Sequence, residues 1–169
     1  MRALGILMIG AICAGNGALV MAQSPAVRND TMHLTVLTSV STTEIAPGQK
    51  LALSFAVTPK RNMHVYAPGK HDYQVIAVKL DPQPWLKVEP TTYPPSEIYH
   101  FKELDEKVET YGQPFTLVQH ITVLNTAAAK KALAAGPIKL SGLLTYQACD
   151  DKVCYAPSKV PVNFALTVK

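Results

Sequence analysis

"VPVNFALTVK", residues 160–169, sets Val160, Val162, Phe164, Leu166 and Val168 against Pro161, Asn163, Ala165 and Thr167 in strict alternation. Successive side chains of an extended chain point to opposite faces, so this period of two reads as a β-strand with one buried and one wet face. The same period recurs upstream. Leu34, Val36 and Val40 alternate with His33, Thr35 and Ser39, and Leu51, Leu53, Phe55 and Val57 alternate with Ala52, Ser54 and Ala56. Ile76, Val78 and Leu80 continue the theme; Phe115, Leu117, Ile121 and Val123 share one face, as do Ile138, Leu140, Leu144 and Tyr146. Between the runs stand turn formers: Ala46-Pro47-Gly48, Ala67-Pro68-Gly69, Asp81-Pro82, Pro94-Pro95 and Gly136-Pro137. Short alternating strands with frequent turns predict an all-β fold, an antiparallel immunoglobulin-like β-sandwich.

Two stretches depart from the period. "AAAKKALAA", Ala127–Ala135, predicts one short helix stopped by Gly136-Pro137. Residues 81–113 are irregular and richer in Pro, Tyr and charge, which predicts a long loop crossing one end of the sandwich.

The N-terminus, "MRALGILMIGAICAGNGALVMAQS", carries one basic residue, Arg2, then an apolar run interrupted by Gly15-Asn16-Gly17 and a small-residue site at Val20-Met21-Ala22. That layout predicts a secretory signal peptide over residues 1–22, cleaved after Ala22, because the run is too short for a bilayer span. Residues 23–31 read as a flexible leader and 32–169 as one domain, large enough for its own core. Cys13 leaves with the signal. The formal net charge of +4 is spread along the chain, which argues against nucleic-acid binding and suits a soluble mature form.

Export leaves Cys149 and Cys154 of the three cysteines, in a compartment where disulfides persist; the periplasm is the simplest destination. The strand ending at Tyr146 runs into Cys149, Asp150-Asp151-Lys152-Val153 is turn-prone, and alternation resumes at Val160. Opposed residues of an antiparallel pair have Cα atoms roughly 4.5–5.5 Å apart, within reach of the roughly 4.4–6.8 Å that a disulfide needs. A ring of about six residues gives only ~2 kcal/mol of loop entropy, so the bond is a weak staple. Spacing alone leaves a structural disulfide and a redox-active one both open. Asp150 and Asp151 oppose thiolate formation and Lys152 favours it.

Other chemistries find less support. Zinc wants about four ligands, and His33, His64, His71, His100 and His120 supply no second close pair. Met32-His33 and Met63-His64 invite a copper reading, since soft ligands hold Cu(I). Cysteine-based hydrolysis needs an oriented base that the sequence does not single out.

"LTYQACDDKVCYAP", Leu144–Pro157, resembles the active-site hairpin of the N-terminal periplasmic domain family of the thiol:disulfide interchange protein DsbD. "YPPSEIY", Tyr93–Tyr99, is similar to the segment near that domain's cap loop, and "RNMHVYAPG", Arg61–Gly69, looks like the aromatic strand before the cap. The gap between the cysteines is shorter than in the best-known members, and the shielding aromatic is replaced near Thr92-Tyr93. The resemblance implies an immunoglobulin-like fold whose cysteine pair exchanges disulfides and needs no other cofactor or metal. By position, Cys149 and Cys154 would be the redox pair, with Cys154 forming the first mixed disulfide. Tyr93, Glu97, Tyr99, Tyr66, Tyr146 and Tyr155 would shield the pair or meet a partner. Implied partners are periplasmic thioredoxin-like proteins, including disulfide isomerases and cytochrome c maturation proteins. A separate membrane electron channel is expected to supply the electrons. A thiol–disulfide oxidoreductase is therefore the leading reading; an immunoglobulin-like binding module with a structural disulfide, or a copper-handling protein, is the alternative.

Overall fold

The computed structural model describes residues 26–102 and 105–169. The expected signal peptide, its cleavage site, Cys13 and the start of the leader lie outside the described residues. Strand accounts for 56% of the structure and helix for 5%, which makes the fold all-β.

Two sheets form the sandwich. The first comprises β1 (Val27–Asp30), β2 (Leu34–Val40), β4 (Lys50–Pro59), β10 (Phe115–Val123) and β7 (Leu86–Thr92), in that order. The second comprises β3 (Glu44–Ile45), β13 (Ser158–Val168), β11 (Ile138–Tyr146) and β6 (Ala77–Leu80). All pairings are antiparallel except the two-residue contact of β3 with β13. The alternation read from sequence is the burial pattern: Leu51, Leu53, Phe55 and Val57 of β4 meet Val160, Val162, Phe164 and Leu166 of β13 in one core. Phe55 and Phe164 contact edge to face, with centroids 5.8 Å apart. Helix α1 (Ala127–Leu133) follows β10. The Thr126 hydroxyl caps it by accepting from the Ala129 N–H at 3.1 Å, and Ala129 and Leu133 anchor it to the core.

A third sheet sits at one end, in the order β12 (Ala148–Cys149), β5 (His64–Tyr66), β9 (Glu106–Tyr111), β8 (Glu97–Phe101). It gathers continuations of strands from both layers. β5 follows β4 after residues 60–63, β9 leads into β10 through residues 112–114, and β12 follows β11 after Gln147. The turn before β5 is made by Asn62 at φ 62°, a left-handed conformation that Asn tolerates.

Two expectations are corrected. Residues 81–113 are not a loop: they form β7 and the β8–β9 hairpin. β8 is largely exposed on both faces and β7 is an edge strand with a bulge at Glu89-Pro90, so neither imposes a period of two on the sequence. Part of the presumed flexible leader, Val27–Asp30, is strand β1. Asp30 receives Arg28, the Thr35 hydroxyl and, from 30 positions away, Lys60, a contact the local sequence could not reveal.

Candidate functional site: a disulfide at the end of the sandwich

Cys149 and Cys154 are disulfide-bonded and face each other across an isolated antiparallel bridge, Cα to Cα 4.1 Å. The turn between them is organised by Asp150. Its Oδ1 accepts the N–H groups of Lys152 and Val153, both at 2.8 Å, and its Oδ2 accepts the Tyr155 hydroxyl at 2.8 Å. Those bonds, the Lys152 N–H foremost, hold the Asp150 carboxyl below its ordinary range. Gln147 ties the turn's base down, donating to the Tyr155 carbonyl and accepting the Gln74 N–H.

The two sulfurs differ in access. Cys149 is fully buried, whereas Cys154 is exposed. β12 lifts away from β13 to pair with β5, Ala148 opposite Val65 and Cys149 opposite His64. Ala148 and Val65 therefore face the main core, while Cys149, His64 and Tyr66 share the other face. The Tyr66 hydroxyl lies 3.0 Å from Cys149 Sγ and 3.2 Å from Cys154 Sγ, and donates, because disulfide sulfurs carry no proton. Burial, then the neighbouring Tyr73 and Glu106, push that hydroxyl well above its ordinary range, so it stays protonated.

Around this centre lies an aromatic shell. Tyr73 stacks on Tyr66, centroids 4.2 Å apart and planes at 4°, and donates to Glu106 at 2.6 Å. Val108, Tyr73 and Tyr99 pack with Tyr66 and Cys149 in a cluster separate from the sandwich core. Tyr99 lies over His64 at 4.2 Å, and its hydroxyl donates to Asp151 at 2.9 Å, tying β8 to the cysteine turn. His64 is buried, and its Nε2 makes no hydrogen bond. Burial lowers its pKa against the opposing pull of Asp151 and Asp150.

Of the residues named from sequence, Cys149, Cys154, Tyr66 and Tyr99 converge here. Tyr155 supports the turn from behind, its ring 4.5 Å from that of His33. Glu97 lies exposed in a cleft beside His64, Tyr99 and Asp151. Tyr146 is a core residue whose hydroxyl donates to Thr31 at 2.9 Å, away from the sulfurs. Tyr93 packs on the main core and donates to the Ile76 carbonyl at 3.0 Å, whereas Tyr99 packs against the cluster that holds Cys149. Tyr73, Glu106 and Val108 were missed; the one available signal was an aromatic within the polar "GKHDYQ", residues 69–74. His33 packs with Tyr146 and Tyr155, and His64 with Tyr66 and Tyr99. Among the described residues no group of three or more His, Cys, Asp or Glu side chains could hold a metal ion. Nor, among them, is any helix long and apolar enough to cross a membrane.

An immunoglobulin-like domain presenting one half-covered disulfide at its end is the class that fold and site define. The chain belongs to the family described as "Thiol:disulfide interchange protein DsbD, N-terminal", which residues 34–165 match. Among solved structures it is similar to the N-terminal periplasmic domain of ScsB from Proteus mirabilis, at 13% identity and a TM-score of 0.57. That match covers 85% of this chain and 51% of the other, so the protein spans about half the length of its structural relative. Weaker likenesses are the GAE domain of GGA2p from Saccharomyces cerevisiae (9% identity, TM-score 0.43, covering 83% and 96%) and that of yeast GGA1 (10%, 0.41, 83% and 97%). No curated relative matches the sequence.

Proposed function

We propose that this protein is an exported thiol–disulfide carrier that acts in the periplasm, with the Cys149–Cys154 disulfide as its redox group. The carrying observation is the asymmetry of the pair: Cys154 is exposed and Cys149 buried beneath Tyr66. Exchange proceeds by thiolate attack through a mixed disulfide, so the accessible sulfur meets the partner and the buried one resolves the bond. In the reducing direction the Cys154 thiolate attacks a disulfide of a thioredoxin-like partner. One partner sulfur joins Cys154 and the other leaves as a thiolate. Cys149 then loses its proton and attacks Cys154 Sγ, releasing the partner as a dithiol and leaving this chain oxidised by two electrons. A membrane electron-channel protein recharges the pair through the same steps in reverse.

The test is trapping in cells. Cys149→Ser in the full chain is expected to accumulate a Cys154-linked mixed disulfide on non-reducing gels, and Cys154→Ser is expected not to. Absence of any adduct from Cys149→Ser would overturn the carrier reading. So would a reduction potential below about −300 mV, the range of inert structural disulfides.

A further inference from the structure

The resolving step requires that a thiol with no exposure to water lose its proton. A cysteine in such surroundings has a raised pKa, so the step needs a base beside it. Few groups are available. The Tyr66 hydroxyl on β5 is held in its protonated form. Asp150 is engaged by two backbone N–H groups and Tyr155, and Asp151 accepts from Tyr99. Thr110 of β9 does not titrate, and Glu97 of β8 is exposed across the cleft.

His64 is different. It is the register partner of Cys149 in the β12–β5 ladder and shares its face of the sheet. Directly opposed residues have Cβ atoms roughly 4.5–5.5 Å apart. It is 5% exposed, and its Nε2 is buried without a hydrogen-bond partner. The ring is fixed between Tyr99 on β8 and Tyr66 on β5. A buried, unpartnered imidazole nitrogen has an acceptor to offer and no assigned structural bond, a costly arrangement in a fold unless the site uses it.

We propose that His64 is the base that accepts the Cys149 proton when the mixed disulfide on Cys154 is resolved. This rests on the carrier reading above. The proton passes from Cys149 Sγ to the imidazole, Cys149 bonds to Cys154 Sγ, and the departing sulfur leaves with the electron pair of the broken bond. The imidazolium afterwards returns its proton to water. Burial keeps His64 neutral near pH 7, the form able to act as a base.

The experiment uses reduced full-length protein carrying Cys13→Ala, so that Cys149 and Cys154 are the only thiols. The probe is dithiobis(nitrobenzoate), a symmetrical aromatic disulfide. Cys154 attack releases a first coloured thiolate at a rate that scales with reagent; ring closure by Cys149 releases a second at a rate independent of it. His64→Gln is expected to leave the first phase within about twofold. It should slow the second by about a hundredfold at pH 7, the low end for a positioned base. In the unsubstituted protein closure should fall as pH drops through a midpoint below about 6.5, whereas in His64→Gln it should climb with pH across about 7–9. His64→Phe, which keeps an aromatic ring against Tyr99, should show the same closure defect. A His64→Gln protein that closes at the unsubstituted rate with the same pH profile would overturn the proposal. So would restoration of closure by His64→Phe, which would assign the residue to packing. The carrier reading fails separately, if unsubstituted protein closes its ring rapidly yet Cys149→Ser traps no partner in cells.

Discussion

The Tyr66 hydroxyl touches both sulfurs, and this contact tunes the site at the scale of a single atom. A thiolate accepts a hydrogen bond more strongly than a disulfide sulfur does, so the hydroxyl favours the reduced pair. Tyr66→Phe keeps the stack on Tyr73 and removes only the donor. Losing a hydrogen bond to a charged acceptor costs about 1.5 kcal/mol or more, and about 1.4 kcal/mol corresponds to 30 mV for a two-electron couple. The substitution should make the potential more negative by on the order of 30 mV, read from equilibration with a glutathione series at pH 8. A shift in the opposite direction would show that the hydroxyl serves the disulfide instead. Nothing local signals this role: Tyr66 and Cys149 are separated by 83 positions, and their contact depends on β12 leaving β13 for β5.

At the scale of the element, the cysteine turn is a ring of backbone donors closed on one carboxylate. Because the folded turn holds the Asp150 pKa below its unfolded value, its contribution is present above the ordinary carboxylate pKa of about 3.9 and is lost as pH falls through the lowered value. The Lys152 and Val153 amides should therefore resist hydrogen exchange at pH 5 and lose protection only well below pH ~3.9. In Asp150→Ala both amides should exchange freely at every pH. Equal protection in the variant would mean that the disulfide alone orders the turn. At this scale the sequence was a good guide to regular elements and a poor one to β7, β8 and β9. Helix α1 showed itself through "AAAKKALAA" and its Gly136 stop, with the Gly136 φ of 119° closed to most side chains. The β8–β9 hairpin did not, because a strand exposed on both faces has no buried side to print on its sequence.

Over the whole molecule, magnitudes separate the role of the core from that of the disulfide. Phe55 is fully buried against Phe164 at the centre of the sandwich, and Phe55→Ala should cost about 3–5 kcal/mol in urea unfolding. Breaking the disulfide releases a ring of about six residues that its own hairpin already holds, so reduction should cost ~2 kcal/mol at most. Reduced protein should keep its far-ultraviolet dichroism and a cooperative transition. Unfolding on reduction would identify a structural staple and count against the carrier. A domain that stays folded in both redox states is what a carrier cycling between them requires.

The sequence alone determined the main strands of the sandwich, β2, β4, β6, β10, β11 and β13, because side chains alternate about an extended backbone and a buried face must repeat every second residue. It also singled out the pair that the fold joins, since an antiparallel return brings Cys149 and Cys154 to bonding distance. Only the tertiary structure decided which sulfur is reachable, that Tyr99 packs against the Cys149 cluster while Tyr93 packs on the main core, and that His64 stands opposite Cys149. Those facts arise where strands from both layers meet at one end of the sandwich. Contacts between segments far apart in the chain leave no local period, so only the folded molecule contains them.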